Sequence, residues 1–130
     1  MKTKTFIIAG LAGGVVDWLL GWLFYGIIFA ETFPQPQEGT NALIFITFGC
    51  FSFGFFISYI FNQWAQISTL SSGAKAGAVI GLFMGLITIF FNMANDVEVD
   101  YQRYGIELLV SIIMAAVVGA VVGLVSGKVK

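Results

Sequence analysis

Asp17 is the residue of this sequence best suited to chemistry inside a membrane. It stands in the middle of an apolar run that covers residues 6–29. Because an acid is costly to bury there, it usually faces a cavity or another helix, where it can take up a proton or a cation. Cys50 and Ser52, in the next apolar run, are expected at a similar depth. Asp17, Ser52 and Cys50 therefore form the candidate ion or proton site, and the alternative is an acid that only joins helices by hydrogen bonds.

Two further groups of side chains are candidates for cation binding. Trp18, Trp22 and Tyr25 follow Asp17 and could line a site for an organic cation by cation–π attraction; the alternative is packing or lipid contact. Amide and carboxyl groups near the third connection could form an outer acidic vestibule that concentrates cations, and the alternative is a helix end that meets water. The members of the vestibule are Asn92, Asn95, Asp96, Glu98, Asp100 and Glu107.

Several classes of function lack the residues they need. Histidine is absent and Cys50 is the one cysteine among 130 residues, which excludes a His/Cys metal cluster, a triad with histidine and a disulfide within the chain. We predict no metal, no cofactor and no enzymatic activity, since Asp and Glu would be the main acid/base groups. A basic patch and a phosphate-binding glycine loop are also missing, so no nucleic-acid partner is expected.

The composition is that of an integral membrane protein, with 58% hydrophobic and 10% charged residues. Four apolar runs cover residues 6–29, 42–61, 73–93 and 106–126. Each has about 20 residues or more, enough for a helix to cross a hydrocarbon core of about 30 Å. The sequence therefore predicts a single all-α domain with four transmembrane helices. Ser71 or Ser72 is expected to cap the third helix.

The charged residues predict how the helices are oriented. Five of the six basic residues lie at the two ends of the chain and beside the second connection: Lys2, Lys4, Lys75, Lys128 and Lys130. Most acids lie in or beside the first and third connections. The positive-inside rule then predicts an up-down bundle in the cytoplasmic (inner) membrane with both termini in the cytoplasm. The first apolar run is too long for a cleaved signal peptide, so we expect it to be retained as a helix.

Small residues recur every four positions and predict close helix packing. Gly10, Gly14 and Gly21 share a helical face with Asp17. The third and fourth helices are expected to form the tightest pair, and the expected partners are the lipid bilayer and a second copy or another membrane protein. The stripes of these two helices are Gly73, Gly77, Gly81 and Gly85, and Ser111, Ala115, Gly119 and Gly123.

The end of the first apolar run carries a short motif, Gly21-Trp22-Leu23-Phe24-Tyr25. It resembles a Gly-x-x-Trp-Tyr-like stretch in a family of small four-helix bacterial membrane proteins of unknown function, with Phe24 in place of the tryptophan. That family supplies no catalytic residues. The acid in the first helix is also similar to the essential glutamate of small multidrug-resistance transporters. This chain departs from them in having Asp17 and in the glycine patterns of its other helices.

Two functions follow from these observations. The first is a non-enzymatic structural, accessory or partner-binding membrane protein that acts through helix packing and oligomerisation. The second is a proton- or cation-coupled transporter of small solutes, or a channel subunit, centred on Asp17. A water-accessible cavity at Asp17 would favour the second function, and a dry interior would favour the first.

Overall fold

Four long helices carry the apolar runs of the sequence. The computed structural model describes residues 3–24, 27, 42–64, 66–95 and 101–129. Among these residues there is no strand, and all four helices are long and apolar enough to cross a membrane. This confirms the predicted helical class with four candidate membrane spans. The helices are α1 (Thr3–Leu23), α2 (Ala42–Tyr59), α3 (Leu70–Asn95) and α4 (Tyr101–Val129), and a π-helical segment, Ile60–Trp64, continues α2.

The last two helices begin earlier than predicted. Thr69, rather than Ser71 or Ser72, caps α3, because its hydroxyl accepts a hydrogen bond from the Ser72 amide at 3.2 Å. Helix α4 begins at Tyr101, and the buried side chain of Tyr104 anchors its first turn. For the first helix, residues 25, 26, 28 and 29 of the predicted range lie outside the described residues.

Helices α3 and α4 lie antiparallel along their small-residue stripes. Gly73 packs against the backbone of Gly119 and Gly123. Further along α3, Gly77 packs against the Ala115 carbonyl. A β-carbon at any of these glycines would overlap backbone atoms of the facing helix. The two backbones can therefore approach this closely only because the side chains between them are absent, as in other membrane helix pairs.

Helix α1 joins α2 to α4. Gly10 and Gly14 pack against the rings of Phe55 and Phe51 on α2, and Gly54 of α2 fits between these two glycines. On its other side α1 contacts α4, where Gly13 faces the side chains of Val118 and Val122. The main contacts thus run in the order α3, α4, α1, α2, with a smaller contact between α2 and α4.

The core between α1, α2 and α4 lies toward the start of α1 and combines apolar side chains with a hydrogen-bonded polar group. Its buried apolar members are Ala9, Ile57, Phe61, Val118 and Val122. At the end near the start of α1, Ser58 donates a hydrogen bond to the Phe6 carbonyl at 2.9 Å. Asn62 donates to the Ser58 carbonyl at 2.9 Å and to the Ser126 hydroxyl at 3.1 Å. These bonds connect the same three helices and satisfy buried polar groups.

The outward surfaces are strongly apolar. Phe45 and Phe48 on α2, and Phe90 and Phe91 on α3, are each more than three-fifths exposed. Contiguous apolar surface on this scale would be a liability in water, whereas it suits the hydrocarbon core of a bilayer.

Gly77→Ala should lower the stability of the protein. The added methyl group would overlap the Ala115 carbonyl oxygen of α4, and overpacking of this kind costs about 1–3 kcal/mol. The matched control is Gly49→Ala on α2, because nothing lies within 4 Å of a β-carbon there and alanine favours helix over glycine. Thermal unfolding followed by circular dichroism in one detergent compares the two. Equal loss of stability in both variants would contradict the close α3–α4 contact.

Candidate functional site

A cavity of about 260 Å³ lies among the four helices and contains two carboxyl groups. Every helix contributes to its wall, and none of the described residues that line it is a lysine or an arginine. The lining residues are Asp17 from α1, Phe53 from α2, Gly81, Met84, Gly85 and Thr88 from α3, and Glu107, Ser111, Met114 and Ala115 from α4.

The small-residue stripes of α3 and α4 form one wall of the cavity, and Asp17 of α1 lies on another. Gly81, Gly85 and Ala115 fill little space, so the wall recedes at their positions. The Ser111 hydroxyl donates a hydrogen bond to the Gly81 carbonyl at 3.1 Å and so fixes the spacing of α3 and α4 there. Two flexible side chains, Met84 and Met114, complete the apolar part of the wall.

Asp17 is half-buried, and its neighbour on α2 is Cys50. The Cys50 thiol donates a hydrogen bond to it. The structure therefore brings together two members of the predicted ion site. Ser52 is exposed, because a step of two residues along a helix turns a side chain to nearly the opposite face.

Glu107 is the second carboxyl group of the cavity. Its position in the sequence predicts a place in the outer vestibule, whereas in the structure it lines the same cavity as Asp17. Arg103 precedes it by one helical turn, interacts with it electrostatically and lies 4.7 Å from the centre of the Tyr104 ring. Arg103 is not among the lining residues.

The other predicted site residues lie elsewhere. Trp18 is half-buried and Trp22 is largely exposed, and the aromatic ring that lines the cavity is that of Phe53. Asn92 and Asn95 are exposed, and the Asn95 amide donates to the Phe91 carbonyl at 3.1 Å. Tyr25, Asp96, Glu98 and Asp100 lie outside the described residues.

Three polar or aromatic residues of the cavity are not among the predicted binding residues: Phe53 and Thr88, and Ser111, for which the sequence predicts only helix packing. A signal for the last two exists in the sequence. Thr88 follows Gly81 by seven residues and Gly85 by three, so it continues the same face of α3. Ser111 belongs to the small-residue stripe of α4, where a hydroxyl is the one polar member. Phe53 has no such signal, because α2 is rich in phenylalanine on all sides.

The two ends of the cavity differ in their surroundings. Toward the start of α1, the fully buried Ala9, Ile57, Val118 and Val122 form a closed apolar core. Toward the end of α3, Thr88 and Met84 are exposed. Access to Asp17 is therefore expected from the side of Thr88 and Glu107.

The arrangement suits the binding of a proton or a cation. Two carboxyl groups with adjacent hydroxyls offer oxygen ligands, and the apolar wall strengthens their attraction for positive charge. No group of three or more His, Cys, Asp or Glu side chains that could hold a metal ion occurs within the described ranges.

Comparison with protein-family models, with curated proteins and with solved structures gives no match for this chain.

Water access to the cavity can be tested with single cysteines in a Cys50→Ala background. Thr88→Cys should react with a water-soluble maleimide, because Thr88 lies on the open side of the cavity. Val118→Cys should not react, since Val118 is fully buried. Phe83→Cys is the control for exposure to lipid, because Phe83 lies on the outer surface of α3, the helix that also carries Thr88. It should not react either, since a thiol in hydrocarbon does not ionise. Labelling is measured by mass spectrometry in lipid nanodiscs, and an unreactive Thr88→Cys would contradict a hydrated cavity.

Proposed function

We propose that the chain is a multi-pass protein of the cytoplasmic membrane that binds a cation or a proton in its acidic cavity and takes part in cation- or proton-coupled transport of small solutes. The single observation that supports this most is the shared cavity of Asp17 and Glu107. An acid within a membrane helix is expensive, and two acids on one cavity are explained by a function that uses their charge.

The proposed membrane arrangement is an up-down bundle with both termini in the cytoplasm. Antiparallel contacts of α1 with α2, α1 with α4, and α3 with α4 support it. The five lysines supply the sidedness by the positive-inside rule. In this orientation the open side of the cavity, at Thr88 and Glu107, faces away from the cytoplasm.

A structural or accessory role is the second candidate, and the hydrogen bond between Asp17 and Cys50 favours it. In that role the acid stabilises the contact of α1 with α2, and the exposed phenylalanines of α2 face lipid, a second copy or another membrane protein. We propose a non-enzymatic protein in both cases, because the described residues of the cavity offer only carboxyl and hydroxyl groups for acid/base chemistry.

Asp17→Asn should abolish cation flux. The substitution keeps the size of the side chain and removes the charge that attracts the cation. Purified protein in proteoliposomes is assayed for proton uptake driven by a potassium diffusion potential, and for uptake of radioactive sodium. The expected rate for Asp17→Asn is that of protein-free vesicles, and Glu107→Gln should be slower than the unaltered protein.

Ser52→Ala is the matched control, since Ser52 lies on α2 near Cys50 in sequence but is exposed. Its flux should equal that of the unaltered protein. If neither ion moves through the unaltered protein while Asp17→Asn lowers the unfolding temperature, the structural role is favoured instead. Flux that persists unchanged in Asp17→Asn would contradict the transport proposal.

A further inference from the structure

We propose that the cavity binds a linear diamine, with one ammonium group at Asp17 and the other at Glu107. This inference rests on the proposed cation-binding function and names the class of cation. It follows from where the two carboxyl groups lie along the cavity and from what covers the wall between them.

The two carboxyl groups lie at opposite ends of an elongated space. On α4 the lining extends from Glu107 to Ala115, which is about 12 Å at 1.5 Å per residue. Gly81 of α3 faces Ala115 and marks one end. Thr88, seven residues further along α3, lies near the Glu107 end because α3 and α4 are antiparallel.

Asp17 belongs to the Ala115 end. Gly13, one turn before it on α1, contacts Val118 and Val122, and Gly21, one turn after it, reaches only the tip of Met114. Asp17 therefore lies at about the level of Ala115 or slightly beyond it. Its separation from Glu107 along the helix axes is about two turns of α4.

This separation discriminates between classes of cation. A divalent ion such as calcium or magnesium binds oxygen ligands at about 2.0–2.6 Å, so it cannot contact both carboxyl groups. A monovalent inorganic ion neutralises one of them. A linear diamine can place an ammonium group at each end at once, while its methylene chain lies against the apolar side chains of Phe53, Met84 and Met114.

The two ends are not equivalent. Glu107 also interacts with Arg103, which lies one turn before it and outside the lining. Asp17 has the Cys50 thiol as its neighbour, a neutral hydrogen-bond donor. The ammonium at Asp17 therefore supplies most of the affinity, and the second ammonium at Glu107 adds discrimination in favour of diamines.

The test is equilibrium binding to the full chain in lipid nanodiscs by isothermal titration calorimetry, with hexamethylenediamine and hexylamine as the matched probes. Hexylamine has more apolar surface and one charge less, so apolar burial alone would favour it. A second charge-assisted hydrogen bond should make hexamethylenediamine bind at least about tenfold more tightly. Glu107→Gln should remove this advantage, so that hexamethylenediamine and hexylamine bind with similar affinity, whereas Ser52→Ala should leave the advantage of the diamine in place.

A chain-length series in the unaltered protein gives a second measurement that needs no variant. Putrescine should bind more weakly than hexamethylenediamine and octamethylenediamine, because it is too short to reach both carboxyl groups. Equal affinities for hexylamine and hexamethylenediamine, an advantage that survives in Glu107→Gln, or no binding of any amine would overturn the inference. If sodium or proton flux still depends on Asp17 in those cases, the diamine inference fails and the proposed function stands.

Discussion

The close approach of helix backbones along glycine positions is the constraint on which the rest of this structure depends. In lipid there is little hydrophobic force between helices, so packing at short range must hold them together. Gly73, Gly77 and Gly119 allow the α3–α4 contact, and Gly10 and Gly14 admit the rings of α2. These contacts also fix how far each helix is rotated about its axis, and hence which side chains face inward.

The acidic cavity is a consequence of the same packing. Gly81, Gly85 and Ala115 belong to the close contact between α3 and α4, and they also line the cavity beside it together with Asp17 and Glu107. At the other end of the bundle the space is filled by an apolar core and closed by the hydrogen bonds of Asn62 with Ser58 and Ser126. The same small residues thus take part in the tight contact between α3 and α4 and form part of the cavity wall.

Much of the fold could be predicted from the sequence, but less of the site. The four apolar helices follow from the length and composition of the runs, which are local properties. The caps are harder, as Thr69 shows, because several hydroxyl residues compete within a few positions. In the structure Cys50 lies next to Asp17, Ser52 is exposed, and Glu107 lines the cavity. Depth along a helix can be read from residue number, but the direction of a side chain depends on the rotation of that helix.

The sequence by itself determined that this chain has four helices able to span a membrane and that an acid lies in the first of them. Both are consequences of hydropathy along a single run. Only the tertiary structure decided that Glu107 shares a cavity with Asp17 and that Phe53, not Trp18 or Trp22, lines it. Such neighbours depend on how four helices are rotated against one another, and that rotation is fixed by backbone contacts between residues far apart in the chain.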